Sequence, residues 1–445
     1  MDGKRYDTVG GSLEIRLEEG MDQIIFHIDV NSAFLSWTAV KRLREGSTVD
    51  IRDIPCIIGG DKASRHGIVL AKSIPAKKYG IVTGEPVTDA LKKCPSLEMF
   101  PPEHHYYHEE SAKFISLIKE YTPDIEQVSV DECYLDFTGI SSRFESPIQA
   151  ATIIKDRIKK ELGFTVNVGI SDKKVLAKMA SDFEKPDKIH TLYSYEIEQK
   201  MWPLPIEDLF MAGKSTVETL HRIGIMNVGQ LAKTPKEILT YHLKSHGETL
   251  WNFANGIDDS GVNTEREELK GIGNSTTLSE DVVLADDAKK VLLYLSDKVA
   301  ARMREAKQKA FVVCVEIKYS DFSKNSRQIT LDEPLRTGRQ IYECSCRLFD
   351  ELWNHKPIRL LGVRTTKLVG EDEPEQLSLF NLINESNMPG GTKEAEGKTY
   401  QLPSKEKLEK LETAIDGIRK KYGNDAISRA SMLKEDKRKD ESEDK

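Results

Sequence analysis

The chain has 445 residues, of which 38% are hydrophobic and 31% are charged, a balance typical of a soluble globular protein of about two to four domains. No apolar run reaches about 18 residues and the N-terminus has no apolar secretion signal, so we expect a cytoplasmic protein without a membrane span. The six cysteines form no C-x-x-C pair, which argues against a zinc ribbon or a disulfide scaffold.

The net charge of −8 at first argues against a nucleic-acid partner, but the charge is unevenly distributed. Residues 265–370 carry 19 Lys and Arg against 16 Asp and Glu, whereas residues 371–445 carry 14 against 18. An acidic tail therefore masks a mildly basic body, and local basic surfaces are available to nucleic acid.

The first half of the chain alternates predicted strands and helices. Residues 1–21 are polar and glycine-rich, which predicts a poorly ordered extension. Hydrophobic spacing predicts strands over 23–30, 55–60, 128–137 and 164–171, and helices over 32–46, 109–123, 147–163 and 172–188. This alternation predicts an α/β or α+β core.

The helix predicted at 172–188 has two unlike sides. Its apolar side carries Val175, Leu176, Met179 and Phe183. Lys174, Lys178 and Ser181 lie on the other side, with Lys185 near the end. A solvated basic face is the simpler interpretation of the polar side, and a face that meets a phosphate substrate is the alternative.

Short helices are predicted from 203 to 258. The stretch 220–235 reads as helix, tight turn and helix, with Ile223, Gly224 and Ile225 in the turn. This is the pattern of a helix-hairpin-helix, whose turn can offer backbone N–H groups to a phosphate. An ordinary hairpin between packed helices explains the pattern equally well.

Residues 265–370 are predicted to form a separate α+β unit. Helices are expected at 286–308 and 339–353, and strands at 311–321 and 358–369. An acidic, Gly/Pro-containing linker follows, and an amphipathic helix is predicted at 404–421, with an apolar side of Leu408, Leu411, Ile415 and Ile418.

Three acids lie in or at the end of apolar strands, where charge is costly. Asp29 ends one predicted strand, and Asp131 and Glu132 lie within another. If these strands are neighbours, the three carboxylates converge and supply hard oxygen ligands for Mg²⁺. Two such ions would suit phosphoryl transfer. The alternative is that Asp131 and Glu132 form salt bridges or face solvent on an edge strand.

Several segments occur in an order that is hard to obtain by chance. They are HIDVNSAFLSW (27–37), GIVLAKSIPAKKYGI (67–81), SVDECYLD (129–136) and GISDKKVLAKMASDFEKPD (169–187). The hairpin at 213–225 and QLSLF at 376–380 follow them. On these segments, the chain resembles the Y family of DNA polymerases, the translesion group, over residues 23–380.

The resemblance implies an α+β multidomain fold shaped like a right hand, with a flexible C-terminal tail. The implied parts are the palm (22–33 and 97–190), the fingers (34–96), the helical thumb (191–258), the α+β little finger (262–370) and the tail (371–445). The implied activity is template-directed, low-fidelity addition of deoxynucleotides to a primer 3′-end in DNA damage tolerance and repair, by a monomer.

The resemblance also implies roles for individual residues. Asp29, Asp131 and Glu132 would be the catalytic acids and would hold two Mg²⁺ ions, together with the backbone carbonyl of Val30. Phe34 takes the position that discriminates the sugar, because its ring leaves no room for a ribose 2′-hydroxyl. A core role for Phe34 in its own helix is the alternative, and both can hold.

Substrate contacts follow from the same resemblance. The deoxynucleoside triphosphate would be bound by Ser32, Ala33, Phe34, Lys77 and Lys185, with backbone N–H groups at a helix start capping the phosphates. Primer–template DNA would be bound by Gly213, Lys214, Ile223, Gly224 and Ile225. QLSLF resembles the peptide that binds the sliding clamp, with Gln376, Leu377, Leu379 and Phe380 as the contacts. Incidental hydrophobic residues in a linker are the alternative.

Three positions depart from the family pattern. Asn31 stands where members of the family often have a second acid. One bacterial branch of the family also has Asn at this position. Ala33 replaces a common aromatic residue, and the usual Tyr-x-x-Arg reads Ile74-Pro75-Ala76-Lys77. A lysine keeps the charge of the arginine but loses its bidentate fork, so we expect weaker nucleotide binding or an altered lesion preference. An incoming-nucleotide KM equal to that of Tyr/Arg relatives would count against this expectation.

Two other features favour plain structural roles. HHYYH (104–108) could bind a metal, but a surface loop before a helix is the better interpretation. Cys344 and Cys346 are interpreted as packing residues on a helix. A non-catalytic scaffold that binds DNA and clamp is the main alternative function, and a nucleotidyl cyclase with a similar palm is a third. The retained acids argue against the scaffold, and the hairpin and clamp peptide argue against the cyclase.

Overall fold

The computed structural model describes residues 23–60, 67–265, 268–371, 373, 405–423 and 426–427. The chain divides into two compact units, residues 1–266 and 267–445. No helix in these described ranges is long and apolar enough to cross a bilayer.

The first unit contains eight strands and eleven α-helices among its described residues. The strands are β1 (Ile25–Val30), β2 (Cys56–Gly59), β3 (Val69–Lys72), β4 (Glu98–Phe100), β5 (Ile125–Gln127), β6 (Glu132–Asp136), β7 (Val166–Ser171) and β8 (Ile189–Thr191). The helices are α1 (Ala33–Arg44), α2 (Ile74–Lys78), α3 (Val87–Lys93), α4 (His104–Lys119), α5 (Pro147–Leu162), α6 (Lys174–Asp182), α7 (Ile197–Lys200), α8 (Lys214–Arg222), α9 (Val228–Lys233), α10 (Lys236–Leu243) and α11 (Ser245–Ala254).

A five-stranded sheet forms the centre of this unit, in the order β5-β6-β1-β7-β8. The middle strand, β1, is buried along its whole length and runs antiparallel to both β6 and β7. A smaller sheet, β3-β2-β4, has its own apolar clusters. Because β1 has neighbours on both sides, its last residues are held in a fixed register.

The two faces of the central sheet differ in chemistry. Phe26, Ile28 and Val30 point into an apolar core that also contains residues of α4 and α5. The opposite face carries His27, Asp29 and their register partners, since side chains alternate along a strand. Helix α6 covers this second face.

Gly169 allows α6 to lie close to the sheet. A Cβ added to this β7 residue would lie 2.0 Å from the carbonyl oxygen of Ala177 and 2.5 Å from the amide nitrogen of Ser181. Any larger residue would therefore push α6 away from β7. The other side of α6 packs on the helical region of α7–α11 through Val175, Leu176 and Met179.

The second unit is a four-stranded antiparallel sheet with two long helices on one face. Its elements are β9 (Gly271–Val282), α12 (Ala285–Glu305), β10 (Gln308–Tyr319), β11 (Lys324–Leu335), α13 (Gly338–Leu352), β12 (Ile358–Gly370) and α14 (Lys405–Tyr422). The strand order is β11-β10-β12-β9. One face packs on α12 and α13. We call the opposite face the outer face; it is formed by Gly273, Cys314, Glu316, Lys318, Ser326, Gln328, Gly362 and Arg364.

Helix α14 is fastened to this unit by its acidic side. Glu412 is 7% exposed, forms an ion pair with Arg304 and accepts hydrogen bonds from the amide of Gly338, at the start of α13, at 3.1 and 3.2 Å. Asp416 accepts a second bond from Arg304 at 2.7 Å. Leu411 and Ile418, on the predicted apolar side, are exposed. The predicted helix is confirmed, but its charged side, and not the predicted apolar side, makes the contacts with Arg304 and Gly338.

Several sequence predictions need correction. The strand predicted at 128–137 begins only at Glu132, because residues 128–131 form the turn between β5 and β6, where the Ser129 side chain bonds the amides of Asp131 and Glu132. HHYYH forms the first turns of α4, because Tyr107 is buried in the core. Strands β9 and β11 were not predicted, since most of their side chains are partly or fully exposed.

We expect Glu412→Ala to destabilise the second unit, because it leaves the largely buried Arg304 and the Gly338 amide without their acceptor. Losing one partner of a buried pair costs about 3 kcal/mol. Denaturant unfolding of the full chain measures this change. Glu409→Ala is the matched control on the same helix; its pair with Arg336 is long, at 3.9 Å, and one-third exposed, so its effect should stay below about 1 kcal/mol. Equal effects would contradict the fastening role of Glu412.

Candidate active site

Asp29 and Glu132 lie directly opposite one another at one end of the central sheet. They are register partners on the antiparallel strands β1 and β6. Side chains of directly opposite residues point to the same face, and here it is the face that α6 covers. The structure therefore brings these two predicted acids together.

Asp131 reaches the same region from the turn that precedes β6. Its carbonyl oxygen accepts a bond from the Val30 amide at 3.0 Å. Its carboxylate accepts from the Ser129 hydroxyl at 2.6 Å. The two adjacent acids can thus serve one site, because only Glu132 belongs to the strand.

Each of the two register-paired acids has a lysine partner. Lys185, three residues beyond α6, contacts Asp29 and also pairs with Asp182 at 2.8 Å. Burial raises the pKa of Asp29, and the Lys185 ammonium opposes that rise. This pairing makes a largely buried carboxylate tolerable.

Glu132 is paired with Lys178, a residue of α6. The Nζ–Oε1 distance is 2.8 Å, and the ring of His27 lies 3.7 Å from Oε2. His27 and Lys178 together lower the pKa of Glu132 to about 2, although partial burial opposes them. Lys178 is only 9% exposed, so the prediction of a solvated basic face was wrong at this position.

The donor set fits hard divalent cations. Within the part of the chain that the structure describes, no group of three His, Cys, Asp or Glu side chains forms a metal-binding cluster. Asp29, Asp131 and Glu132 nevertheless supply carboxylate oxygens at one sheet end, the ligands that Mg²⁺ prefers. The ammonium groups beside Asp29 and Glu132 show that this sheet end accepts positive charge.

Phe34 lies in the first turn of α1, shortly after Asp29 in sequence. Its ring is half-buried and stacks on Tyr107, with ring centroids 4.5 Å apart and an interplanar angle of 12°. Phe34 therefore has the core role that its own helix predicts, and its side chain keeps partial exposure. Ala33 is buried, whereas Ser32 is exposed with a left-handed backbone at the helix start.

Asn31 has a structural role that explains why an amide stands there. Its Nδ2 donates to Asn167 Oδ1 at 3.0 Å, and its Oδ1 accepts from Thr165 and from the Asp187 amide, both at 2.9 Å. Asn31 therefore joins β1 to the segment that carries Lys185. A carboxylate could not donate to Asn167.

The remaining predicted residues are farther along the chain. Lys77 is exposed in α2. Lys214 begins α8 directly after Gly213, and the turn between α8 and α9 contains Ile223, Gly224 and Ile225. The amides of these three turn residues donate to carbonyls of α8 at 3.0–3.1 Å. The helix–turn–helix form is present, but these amides already have partners.

Sequence reasoning missed some residues of this region. Ser129, His27 and Tyr107 were not singled out, and Lys178 was placed on a solvated face. The spacing of Lys178 one helical turn before Asp182 and near Lys185 was a usable signal for a shared charged network. Gln376, Leu377, Leu379 and Phe380 lie outside the described residues.

The sequence matches two family models. The impB/mucB/samB family model covers residues 28–182, and the model of its C-terminal domain covers residues 269–379. The chain is 45% identical to a DNA polymerase IV of Clostridium acetobutylicum, over 94% of this chain and 100% of that protein. Identity to a DNA polymerase IV of Clostridium kluyveri is 36% over the same shares, and to DNA polymerase IV 1 of Bacillus subtilis 33% over 94% and 95%.

A solved structure has the same fold. A Y-family DNA polymerase chimera superimposes with a TM-score of 0.67 and 21% identity, over 78% of this chain and 99% of that chain.

We expect Asn31→Asp to destabilise the first unit by about 1–3 kcal/mol, because it removes a buried hydrogen bond and sets two acceptors against each other. Denaturant unfolding provides the measurement. Asn227→Asp is the matched control, since the side-chain oxygen of Asn227 accepts a bond from the Gln230 amide at 2.8 Å at the start of α9, and a carboxylate keeps that role. If Asn31→Asp is as stable as the native chain, the Asn31–Asn167 bond does not contribute to stability.

Proposed function

Because the chain belongs to the impB/mucB/samB family, the Y family of translesion DNA polymerases, we propose that the sheet end around Asp29 and Glu132 is its polymerase active site. The chain is a DNA-directed DNA polymerase that adds deoxynucleotides to a primer 3′-end with low fidelity. The observation that carries the proposed site is the register pairing of Asp29 with Glu132, with Asp131 bonded to the backbone of Val30.

The proposed architecture is a right hand. The central sheet with α4–α6 would be the palm (22–33 and 97–190), and the small sheet β3-β2-β4 would lie in the fingers (34–96). Helices α7–α11 would form the thumb (191–258), and the second unit would contain the little finger (262–370). The tail (371–445) would carry the clamp peptide.

Family members need divalent metal ions, and we propose two Mg²⁺ ions held by Asp29, Asp131, Glu132 and the Val30 carbonyl. When bound, such ions supply the positive charge that favours attack by the primer hydroxyl on the α-phosphate and departure of pyrophosphate. The carboxylates contribute by fixed placement, since strand register and the Ser129 turn hold them before substrate arrives. Burial by α6 keeps water away from Asp29 and His27.

The chain's basic and aromatic groups would bind the incoming nucleotide. Lys185 and Lys77 would neutralise the triphosphate, and the backbone of residues 32–34 would cap it at the start of α1. Phe34 would exclude the ribose 2′-hydroxyl through the exposed part of its ring. Lys185→Ala should raise the KM for the nucleotide. If this variant loses only the contact with Asp29 and the KM does not rise, the proposed role of Lys185 in binding the triphosphate is wrong.

Two surfaces would bind primer–template DNA. The outer face of the second sheet combines glycines with Lys318 and Arg364, so a phosphate backbone can approach it closely. The Gly213–Lys214 start of α8 and the turn 223–225 would contact the other part of the duplex. Because the turn amides already have partners, the side chains of the turn and the N-terminus of α8 are the better contacts for DNA.

We also propose that residues 376–380 bind the sliding clamp and that the enzyme is a monomer. The position of QLSLF directly after the last folded strand of the second unit supports the clamp role. If the double variant Leu379→Ala/Phe380→Ala still binds the clamp, the proposed clamp role of residues 376–380 is wrong.

Replacing Asp131 by Asn and Glu132 by Gln together should abolish primer extension with Mg²⁺ and the four deoxynucleotides. Neutral amides keep the shape of the side chains but lose the charge that binds the metals, so we expect a fall of at least about 100-fold, the scale set by losing one charge-stabilising group. Extension of a labelled primer on a short template measures the rate.

Asp136→Asn is the matched control for this pair. Asp136 lies at the other end of β6, opposite Ile25, and accepts a bond from Gln23 on one oxygen and from the Thr138 amide on the other. The amide oxygen of Asn keeps the Thr138 bond, and the Gln23 amide can turn to accept from the new NH2 group. It should extend primers nearly as well as the native chain. Full activity of the Asp131/Glu132 variant would overturn the proposed site without touching the family assignment.

We expect Arg364→Ala to weaken primer–template binding and to reduce the salt dependence of that binding by about one ion, because Arg364 is exposed at the centre of the outer face. Fluorescence anisotropy at several salt concentrations gives both quantities. Arg347→Ala removes the same charge from exposed α13, on the other side of the sheet, and should leave the slope unchanged. If the salt dependence has the same slope in both variants, the outer face is not the DNA-binding surface.

A further inference from the structure

The ring of Phe34 is supported from behind by a second aromatic residue. Tyr107, from α4, stacks on it almost in parallel, with centroids 4.5 Å apart. Tyr107 is 1% exposed, and the edge of the His104 ring meets the Phe34 ring at 5.9 Å. Tyr107 therefore backs one face of the Phe34 ring, while the Phe34 side chain keeps partial exposure.

A chain of hydrogen bonds ties the same two residues together at their polar ends. The Thr38 hydroxyl donates to the Phe34 carbonyl at 2.8 Å. Its oxygen lies 2.9 Å from the Tyr107 hydroxyl. Since the single Thr38 hydrogen is used on Phe34, the Tyr107 hydroxyl is the donor of the second bond. Tyr107 thus contacts both the ring and, through Thr38, the backbone of Phe34.

The Tyr107 ring is itself held in place by the palm core. Trp37, fully buried in α1, lies 5.8 Å from it. Tyr107 also belongs to the main apolar cluster of the central sheet. Its position is therefore set by a core that does not depend on substrate, and Phe34 cannot move backwards without displacing it.

We infer that Tyr107 is a positioning residue for sugar discrimination: its ring and its bond to Thr38 fix how far the Phe34 ring projects into the nucleotide site. This inference rests on the proposed role of Phe34. Steric exclusion of a single hydroxyl needs a wall that does not yield, because a displacement of about 1 Å is enough to change rates by orders of magnitude. Removing the support lets Phe34 retreat and admits a ribonucleotide.

The test compares kcat/KM for a deoxynucleotide with that for the matching ribonucleotide in primer extension. Tyr107→Leu should lower this ratio about 10-fold, the scale of coupling between touching side chains, mainly by raising ribonucleotide incorporation. Tyr107→Phe keeps the ring and should change the ratio less than about 3-fold. In a Phe34→Ala background, Tyr107→Leu should have no further effect on the ratio.

Tyr106→Leu is the matched control. Tyr106 is the neighbouring residue of α4, is only partly buried, and its ring faces Lys41. It should leave the ratio unchanged, so a general disturbance of α4 is separated from the loss of support to Phe34.

The outcomes distinguish the two levels of the proposal. An unchanged ratio in Phe34→Ala overturns the role of Phe34 itself. A relaxed ratio in Phe34→Ala with an unchanged ratio in Tyr107→Leu overturns only the inference about Tyr107, as does an equal loss of kcat/KM for both nucleotides. If Tyr107→Leu does not fold, Tyr107→Met decides: it removes the ring stack on Phe34 but keeps a flexible apolar side chain in the core, and a ratio unchanged from the native chain overturns the inference.

Discussion

Carboxylates at the end of a buried sheet need positive charge beside them, and this requirement organises the first unit. Isolated ionised groups are too costly to bury, yet Asp29 is 6% exposed. The countercharges come from one short segment, α6 and the residues after it, through Lys178 and Lys185. The close approach of that segment depends on Gly169, and its far end is held by Asn31 and Asn167.

Much of this arrangement was accessible from sequence, because strand and helix periods reveal which residues share a side. They predicted β1, α1, α5 and β7 nearly to their ends, and the meeting of Asp29 with Glu132 followed from the assumption that their strands are neighbours. Helical period does not reveal which side of α6 faces the protein. Both sides of α6 are buried, so the polar side of Lys178 and Ser181 was assigned to solvent wrongly.

Other parts depend on contacts that no local pattern carries. The turn before β6 is made by the Ser129 side chain, and a run of strand-forming residues conceals it. Tyr107 supports Phe34 from 73 positions away, in a segment that reads as a polar loop. In the second unit, β9 and β11 escaped prediction because edge strands with one open face lack strong apolar alternation. The residues that position the site are thus harder to predict than those that form it.

The fastening of α14 to the second unit fixes the chain at two points of that unit. Strand β12 belongs to its sheet and α14 is bonded to Arg304 and Gly338, so the sequence between them, which includes 376–380, is tethered at both ends. A partner whose groove must be threaded by a chain terminus could not accept this peptide, whereas an open cleft could.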